Sequence, residues 1–360
     1  MREPASPLPS LPSFLGRMLA WAYAAAIERR NRAFDARKGV IEIDRPVISV
    51  GNLSVGGTGK TPMVARLVRV LLEAQHRPAI AMRGYRARQG MSDEAADYAD
   101  QFPGVPVVAQ ANRLEGLLAL FHEPRGAEID CVVLDDGFQH RRLARQCDIV
   151  LLDASRSVFR DQILPLGWLR ESTPALRRAT AIVLTHAERV APRDVQAMVQ
   201  QVRAVAPGAI LAVSSHAWTS LRVTDRRGER TEPISMLHGR RCLVACAIGA
   251  PRQFVEACRA ACGVPPVEFI LRDHDPFRPA TIARLIETAE REGVWAIVTT
   301  SKDWTKLARV RPEAWPCPVV RPTLELAFSS GWEELRRHVL ETADRRTSDE
   351  DEQAGLQGRD

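Results

Sequence analysis

Aromatic residues are scarce in this chain of 360 residues: they make up 6% of the sequence, and only 3 of them are tyrosines. Proteins that bind single-stranded nucleic acid stack the bases on aromatic side chains that lie among basic ones. Here the basic residues are not interleaved with aromatic residues. Nucleic acid is therefore a poor candidate partner, although the net charge is +6.

Cysteine is also infrequent, with 7 residues that lie mostly inside apolar runs. An odd number of cysteines in such positions is typical of reduced core residues in a cytosolic domain and not of a disulfide framework. Cys242 and Cys246 lie four residues apart on a predicted strand, which is too far for both to bind one ion. We therefore expect no zinc site there.

Long apolar runs are missing too. Residues 11–27 are interrupted by Arg17, and their uninterrupted part, residues 18–27, is shorter than the roughly 20 residues that cross a bilayer. Trp21, Tyr23 and the arginines that follow instead predict an interfacial helix on an anionic membrane surface. The alternative, a helix packed on the protein's own core, stays open on composition alone.

A glycine-rich turn is the most informative feature that is present. Residues 47–62, VISVGNLSVGGTGKTP, join a β-branched run to this turn and to the start of a helix. The backbone N–H groups of such a turn bind phosphate oxygens at the helix N-terminus, and the pattern predicts that Lys60 reaches the β- and γ-phosphates while Thr61 binds Mg²⁺. A plain strand-to-helix connection is the alternative. The residues expected to form this phosphate-binding turn are Ser54, Val55, Gly56, Gly57, Thr58, Gly59, Lys60 and Thr61.

A second apolar strand ends in two adjacent carboxylates. Residues 131–140 read CVVLDDGFQH, so that Asp135 and Asp136 follow the strand directly. The carboxyl ends of parallel strands open at one crevice, and nucleotide-binding sheets place their Mg²⁺-binding carboxylates there. We predict that both aspartates lie on the metal side of the site. The alternative is an ordinary Asp-Gly turn.

Strands and helices alternate along most of the chain, as they do in a parallel sheet covered on both faces. We predict an α/β fold: a P-loop NTPase-like, mostly parallel sheet with helices on both faces, a second smaller α/β lobe and an N-terminal membrane-associated helix. The polar stretch 224–233 suggests the lobe boundary. The expected segments are a docking helix at 1–36, the P-loop lobe at 37–230, the smaller lobe at 231–343 and a disordered acidic tail at 344–360.

Eight short motifs follow one another across residues 47–303. They are GNLSVGGTGKTP, RGYRAR (83–88), SDE (92–94), LDDGFQH, LPLGWLRE (164–171), IGAPRQF (248–254), RDHDPF (272–277) and TSKD (300–303). In this order they resemble the motifs of the tetraacyldisaccharide 4'-kinase family, the lipid A 4'-kinases. The resemblance implies Mg²⁺-dependent transfer of the γ-phosphate of ATP to the 4'-hydroxyl of an acylated glucosamine disaccharide 1-phosphate. It also implies an N-terminal helix on the cytosolic face of the inner membrane, peripheral or monotopic.

The resemblance also implies roles for residues outside the glycine-rich turn. Asp93 matches the family's proposed general base and His274 the histidine that pairs with it, while Arg170 resembles a phosphate contact and Glu171 a further carboxylate at the metal site. An oriented aspartate suits the chemistry, since the acceptor hydroxyl must lose a proton. From the residues alone, Asp93 is more simply a helix cap and His274 a surface histidine.

The chain departs from the family pattern at three places. Ser92 and Ala95 flank the Asp93–Glu94 pair where glycine and proline are usual, Asp275 follows His274, and Ser301 replaces a glutamate. These changes leave the proposed catalytic groups in place but alter the surroundings of the base.

A function of another class also fits the glycine-rich turn. It is a membrane-docking P-loop ATPase switch of the partitioning type, with no small-molecule acceptor. Such ATPases usually carry an extra lysine in the region that Ser54 and Val55 occupy here.

Overall fold

A computed structural model describes residues 13–84, 93–249, 251–273 and 275–345. The chain forms two compact units, which differ from the predicted segments. Unit 1 comprises Met1–His216 and Leu326–Asp360, and unit 2 comprises Ala217–Glu325.

The strands and helices alternate in chain order, as predicted. The strands are β1 (Val47–Asn52), β2 (Pro78–Met82), β3 (Val107–Ala109), β4 (Cys131–Asp135), β5 (Cys147–Asp153), β6 (Ala181–Thr185), β7 (Ile210–Asp225), β8 (Gly228–Glu232), β9 (Cys242–Cys246), β10 (Val267–Ile270), β11 (Ala296–Thr299) and β12 (Val319–Ser330). The helices are α1 (Ser13–Asp35), α2 (Lys60–Glu73), α3 (Asp93–Gln101), α4 (Arg113–Phe121), α5 (Pro192–Val205), α6 (Pro251–Cys262), α7 (Pro279–Arg291), α8 (Ser301–Leu307) and α9 (Trp332–Ala343).

Unit 1 is built on a parallel sheet with the strand order β7-β6-β5-β1-β4-β2-β3. Strand β1 lies at its centre between β4 and β5, and every residue of β1 is buried. Apolar, β-branched strands of this kind are stable only where both faces are covered. Because the strands are parallel, the carboxyl ends of β1, β4 and β6 lie at one edge of the sheet.

Helices cover both faces of this sheet. On one face α2, α3 and α9 contribute side chains to a common apolar core that includes Met63, Leu67, Tyr98, Leu335 and Val339. The other face is covered by α5 near β6 and by α4 near β4, which form two further clusters. The predicted layering, with helices on both sides of a mostly parallel sheet, is confirmed.

Unit 2 contains a smaller parallel sheet with the order β10-β9-β11-β12. Strands β7 and β8 pair as an antiparallel hairpin that turns between Asp225 and Gly228. The polar stretch predicted to separate the lobes is this hairpin, and the unit boundary lies earlier, after His216. Some of its charged residues form ion pairs within the hairpin, since Arg230 contacts Asp225 and Glu232.

Helix α9 belongs to unit 1 and not to the smaller lobe in which its sequence position placed it. Leu335, Val339 and Ala343 are buried in the core that also contains α2. Apolar residues at helical spacing show that one face of a helix is buried, but they do not show which core buries it. The sequence therefore did not reveal that the chain returns to unit 1 at α9. Residues 346–360, predicted to be disordered, lie outside the described residues.

Helix α1 runs through the apolar stretch and the arginines behind it, so it is longer than the stretch that suggested it. Among the described helices, none combines the length and the apolar character that crossing a membrane requires.

We expect Leu335→Ala to lower the free energy of unfolding of unit 1 by about 2–5 kcal/mol, because it leaves a cavity among side chains of α9 and α2. Urea unfolding measures this loss, and hydrogen exchange of the α2 amides should accelerate with it. Leu118→Ala on α4, where the leucine is 43% exposed, is the matched control and should cost less than about 1 kcal/mol. Unchanged exchange in α2 would place α9 outside this core.

Candidate active site

The loop between β1 and α2 is held from beneath by side chains at the ends of two strands. Asn52 Nδ2 donates to the hydroxyl of buried Thr58 at 3.0 Å, and the Thr185 hydroxyl donates to the Thr58 carbonyl at 2.9 Å. Gly59 has a φ of 84°, a conformation that residues with side chains rarely adopt. A Cβ on Gly56 or Gly57 would meet no atom within 4 Å, so these glycines border open space.

The segment 164–171 lies along the first part of this loop. Val55 N donates to the Trp168 carbonyl at 2.8 Å, Ser54 forms an antiparallel bridge with Leu169, and Arg170 N donates to the Leu53 carbonyl. Ser54, which stands where the pattern GxxxxGK(S/T) has its first glycine, lies in this paired backbone, where no left-handed conformation is needed. Because the Val55 N–H is directed to Trp168, the nucleotide contact predicted for Ser54 and Val55 stays a prediction.

Asp135 ends β4 in a buried position. The Tyr98 hydroxyl, from α3, donates to its Oδ2 at 3.1 Å, while Oδ1 is buried and has no hydrogen-bond partner among the described residues. Burial raises the pKa of Asp135 to about 6, and the charge of Lys60 opposes that effect. A buried carboxylate oxygen without a donor is what a bound cation would satisfy. The donor set thus fits Mg²⁺, with Thr61 at the start of α2 as the second predicted ligand.

Asp136, the next residue, turns away with a φ of 51° and faces two cations. Arg170 Nη1 lies 3.0 Å from both of its oxygens, and Lys60 Nζ lies 3.6 Å from Oδ1. Burial alone would raise the pKa of Asp136, but the charges of Lys60 and Arg170 outweigh it and lower the pKa. Gln139 supports the group, since it accepts from Arg170 and donates to the Asn52 carbonyl. The structure thus brings Lys60, Asp136 and Arg170 together, and the metal role predicted for Asp136 stays a prediction.

Glu171 is almost completely buried, with 1% exposure, beside a guanidinium and an amide. Its Oε2 accepts from Arg178 Nη2 at 2.9 Å and from Asn31 Nδ2 of α1 at 2.6 Å. These contacts occupy Oε2, while Oε1 is buried and has no hydrogen-bond partner among the described residues, and the predicted metal role stays a prediction. Tyr23, also on α1, donates to the Arg170 carbonyl at 3.2 Å. Helix α1 is therefore bonded to the segment that carries Arg170 and Glu171.

The predicted base and its partner are only partly described. Helix α3 begins at Asp93, but the side chain of Asp93 and the whole of His274 lie outside the described residues, as do Tyr85–Arg88 of the RGYRAR motif. Their pairing stays a prediction. In unit 2 the TSKD motif is structural: Thr300 caps α8, and buried Asp303 accepts from Ala247 N at 3.0 Å.

Three supporting residues of the site carry no recognisable motif. Asn31, Tyr98 and Arg178 contact Glu171 or Asp135 from other parts of the chain. Tyr98 is one of only 3 tyrosines, and it lies five residues after the predicted base in a helix with no other large apolar residue. That isolated buried aromatic residue is the one signal that could have pointed to it.

Comparisons with known proteins show the family to which the chain belongs. The family model described as LpxK, tetraacyldisaccharide-1-P 4'-kinase, matches residues 12–342. A tetraacyldisaccharide 4'-kinase of Chlorobaculum parvum is 33% identical over 82% of this chain and 84% of its own length. Another, of Syntrophus aciditrophicus, is 35% identical over 82% of this chain and 84% of its own length.

A solved structure extends the agreement to the fold. It is the "apo" form of LpxK from Aquifex aeolicus in complex with ATP, and it matches with a TM-score of 0.69 and 27% identity over 90% of this chain and 97% of that chain. The resemblance first drawn from the ordered motifs is confirmed: the chain belongs to the LpxK family of tetraacyldisaccharide 4'-kinases.

Proposed function

We propose that the chain transfers the γ-phosphate of ATP to the 4'-hydroxyl of a tetraacylated glucosamine disaccharide 1-phosphate, a late step of lipid A biosynthesis. The observation that carries this proposal is the family match over residues 12–342. The cluster of Lys60, Asp136 and Arg170 beside the glycine-rich loop gives the match a chemical basis. The relatives named above are kinases, which supports this function and not a partitioning ATPase without an acceptor.

The loop and the two cations are suited to hold a triphosphate. Lys60 Nζ and Arg170 Nη1 both approach Asp136, so two cations lie beside the loop. Mg²⁺, when bound by Asp135 and Thr61, would neutralise charge on the phosphate oxygens. The protein's own task is then to place the γ-phosphorus in line with the acceptor oxygen and to exclude water.

Helix α3 connects the metal side of the site to the predicted base. Tyr98 is fully buried in this helix and donates to Asp135. Asp93, at the first position of the same helix, would accept the proton of the 4'-hydroxyl as the oxygen attacks phosphorus, and His274 would orient it. If Asp93 is the base, the turn and a half of helix between Asp93 and Tyr98 would fix its position relative to the bound nucleotide.

The first test measures the transfer itself. With ATP labelled at the γ-phosphate and Mg²⁺, the full chain should label an acylated disaccharide 1-phosphate presented in mixed micelles. Lys60→Ala should abolish the labelling, because it removes the cation that faces the β- and γ-phosphates. ATP hydrolysis by the intact protein without any labelled lipid would refute the proposal in favour of a nucleotide switch.

A second test concerns the base. Asp93→Asn should lower kcat by a factor of about 10²–10⁴, while the affinity for ATP changes little, because the carboxylate acts on the acceptor proton. Asp100→Asn, an exposed position on the same helix, is the control and should keep normal turnover. If Asp93→Asn raised the KM for ATP and left kcat unchanged, Asp93 would be a nucleotide contact and not the base.

For localisation, we propose that α1 docks on the inner membrane at its cytosolic face. Phe14, Met18 and Trp21 follow one another at helical spacing, and Trp21 is 76% exposed. Gly16 lies on the opposite side of the helix, where a Cβ would come within 2.7 Å of Leu166. One side of the helix therefore packs on the protein, while the apolar stripe and the basic residues Arg17 and Arg29 favour an anionic bilayer surface.

Point substitutions test this docking better than a truncation, because α1 also contributes Tyr23 and Asn31 to the site. Met18→Glu combined with Trp21→Glu should shift the protein from vesicles of anionic lipid to the supernatant, since charge on the apolar stripe opposes insertion. Leu118→Glu, at an exposed apolar position on α4, should leave sedimentation unchanged. Equal sedimentation of both variants would place the membrane anchor elsewhere.

A further inference from the structure

Two histidine rings stack beside the glycine-rich loop. His186 follows β6, His216 lies in β7, and their ring centroids are 4.0 Å apart with planes inclined by 19°. His186 is buried, while His216 is partly exposed and forms the outer ring. Neither residue belongs to a motif that the sequence singled out.

Both rings are fitted against the backbone of the loop. His186 Nε2 lies 3.4 Å from the Gly57 carbonyl oxygen, to which it can donate. A Cβ on Gly59 would lie 2.7 Å from His216 Nε2, so a larger residue there would displace the ring. The aromatic pair therefore borders the glycine-rich loop.

The outer ring and the neighbouring carboxylate differ in protonation state. Burial lowers the pKa of His216 to about 3, so its ring is neutral at physiological pH. Burial would raise the pKa of Glu188, but the nearby His186 ring and hydrogen bonds from backbone N–H groups outweigh it and lower the pKa to about 2. A neutral aromatic face thus lies beside a permanently ionised carboxylate.

Glu188 keeps capacity to accept a further hydrogen bond. Its Oε2 accepts from His216 N at 3.1 Å, and its Oε1 lies 3.5 Å from His186 Nδ1 and 3.3 Å from Arg189 Nε. An ionised carboxylate offers about four acceptor positions, and this side chain is 34% exposed. A ligand can therefore reach it from solvent.

A cavity of about 660 Å³ adjoins this group in unit 1. Glu188 and Ser215 line it near the histidine pair, and Val195, Val199 and Val213 supply apolar walls between α5 and β7. Small-molecule sites combine such apolar walls with a few fixed polar groups. They also lie outside the carboxyl ends of parallel strands, which is where β6 ends.

We infer that the adenine ring of the nucleotide stacks on His216 and that its exocyclic amino group donates to the Glu188 carboxylate. The inference rests on the proposed function, in which the loop binds the phosphates of ATP. It adds the element that recognises the base. His186 is a positioning residue, because it supports the His216 ring from beneath and contacts the loop.

A metal site is the competing interpretation of the same three residues. Ligand atoms of His186, Glu188 and His216 lie within 4.8 Å of one another. Stacked rings, however, direct their nitrogen lone pairs side by side and not toward a common point. The Arg189 guanidinium also approaches the Glu188 carboxylate and opposes a second cation.

The test combines a change in the protein with the matching change in the ligand. Calorimetry would compare the full chain with Glu188→Ala for three ligands: ATP, purine riboside triphosphate, which lacks only the amino group, and inorganic tripolyphosphate. We expect Glu188→Ala to weaken ATP binding by about tenfold or more, the worth of a hydrogen bond to a charged group. Binding of the other two ligands should stay unchanged, which also shows that the loop is intact.

Two further variants complete the design. His216→Ala should weaken both nucleotides and leave tripolyphosphate unchanged, because stacking needs the ring and not the amino group. Glu334→Gln, at an exposed position of the same cavity, is the matched control and should bind all three ligands normally.

The inference is overturned if Glu188→Ala weakens ATP and purine riboside triphosphate equally, or weakens neither, or weakens tripolyphosphate as well. Tight Zn²⁺ binding that requires His186, Glu188 and His216 would also overturn it in favour of a metal site. Failure of the proposed function is distinguishable, because the lipid would then remain unlabelled while the three ligands bind as expected.

Discussion

The ion cluster of Lys60, Asp136 and Arg170 organises this active site. Each member comes from a different segment: the start of α2, the turn after β4 and the segment 164–171. Their mutual attraction holds the glycine-rich loop, the carboxylate pair and the LPLGWLRE motif within a few ångströms of one another. The cluster is partly shielded from water, so its interactions are stronger than those of exposed pairs. It adds to the hydrogen bonds that Asn52 and Thr185 make with Thr58 and to the backbone bonds between the loop and the 164–171 segment.

Two neighbouring carboxylates acquire different properties from their surroundings. Asp135 is buried beneath a tyrosine hydroxyl and its pKa is raised, whereas Asp136 faces two cations and its pKa is lowered. The positive φ of Asp136 produces this divergence, because it turns the chain and sends the second side chain away from the first. Asp135 is therefore suited to bind a metal ion, while Asp136 pairs with the two cations. Burial and charge, which act in opposite directions on a carboxylate, assign the two roles.

The sequence predicted the parts of the fold and site that depend on local chemistry. Gly56–Lys60, Asp135–Asp136 and the alternating strands are local patterns, and the structure places them as expected. The errors concern long-range packing. Nothing in the spacing of Leu335 and Val339 indicates that α9 packs on α2. The hairpin at Asp225 resembles a linker because it is rich in charged residues, and its contact with Arg321 of β12 is long-range. The hydrogen bond from Asn31 to Glu171 spans 140 residues, which no motif encodes.

Helix α1 makes different contacts on its two sides, and both bear on how the acceptor reaches the site. Tyr23 and Asn31 bond the helix to the segment that carries Arg170 and Glu171, while Phe14, Met18 and Trp21 expose an apolar stripe on another side. An acylated disaccharide keeps its chains in the bilayer, since each buried CH₂ is worth about 0.8 kcal/mol. Only its head group can then reach an active site that lies outside the bilayer. A helix that is bonded to the site on one side and docked in the membrane on the other would hold Arg170 and Glu171 at the depth of that head group. Docking of α1 would then also position the site for the acceptor.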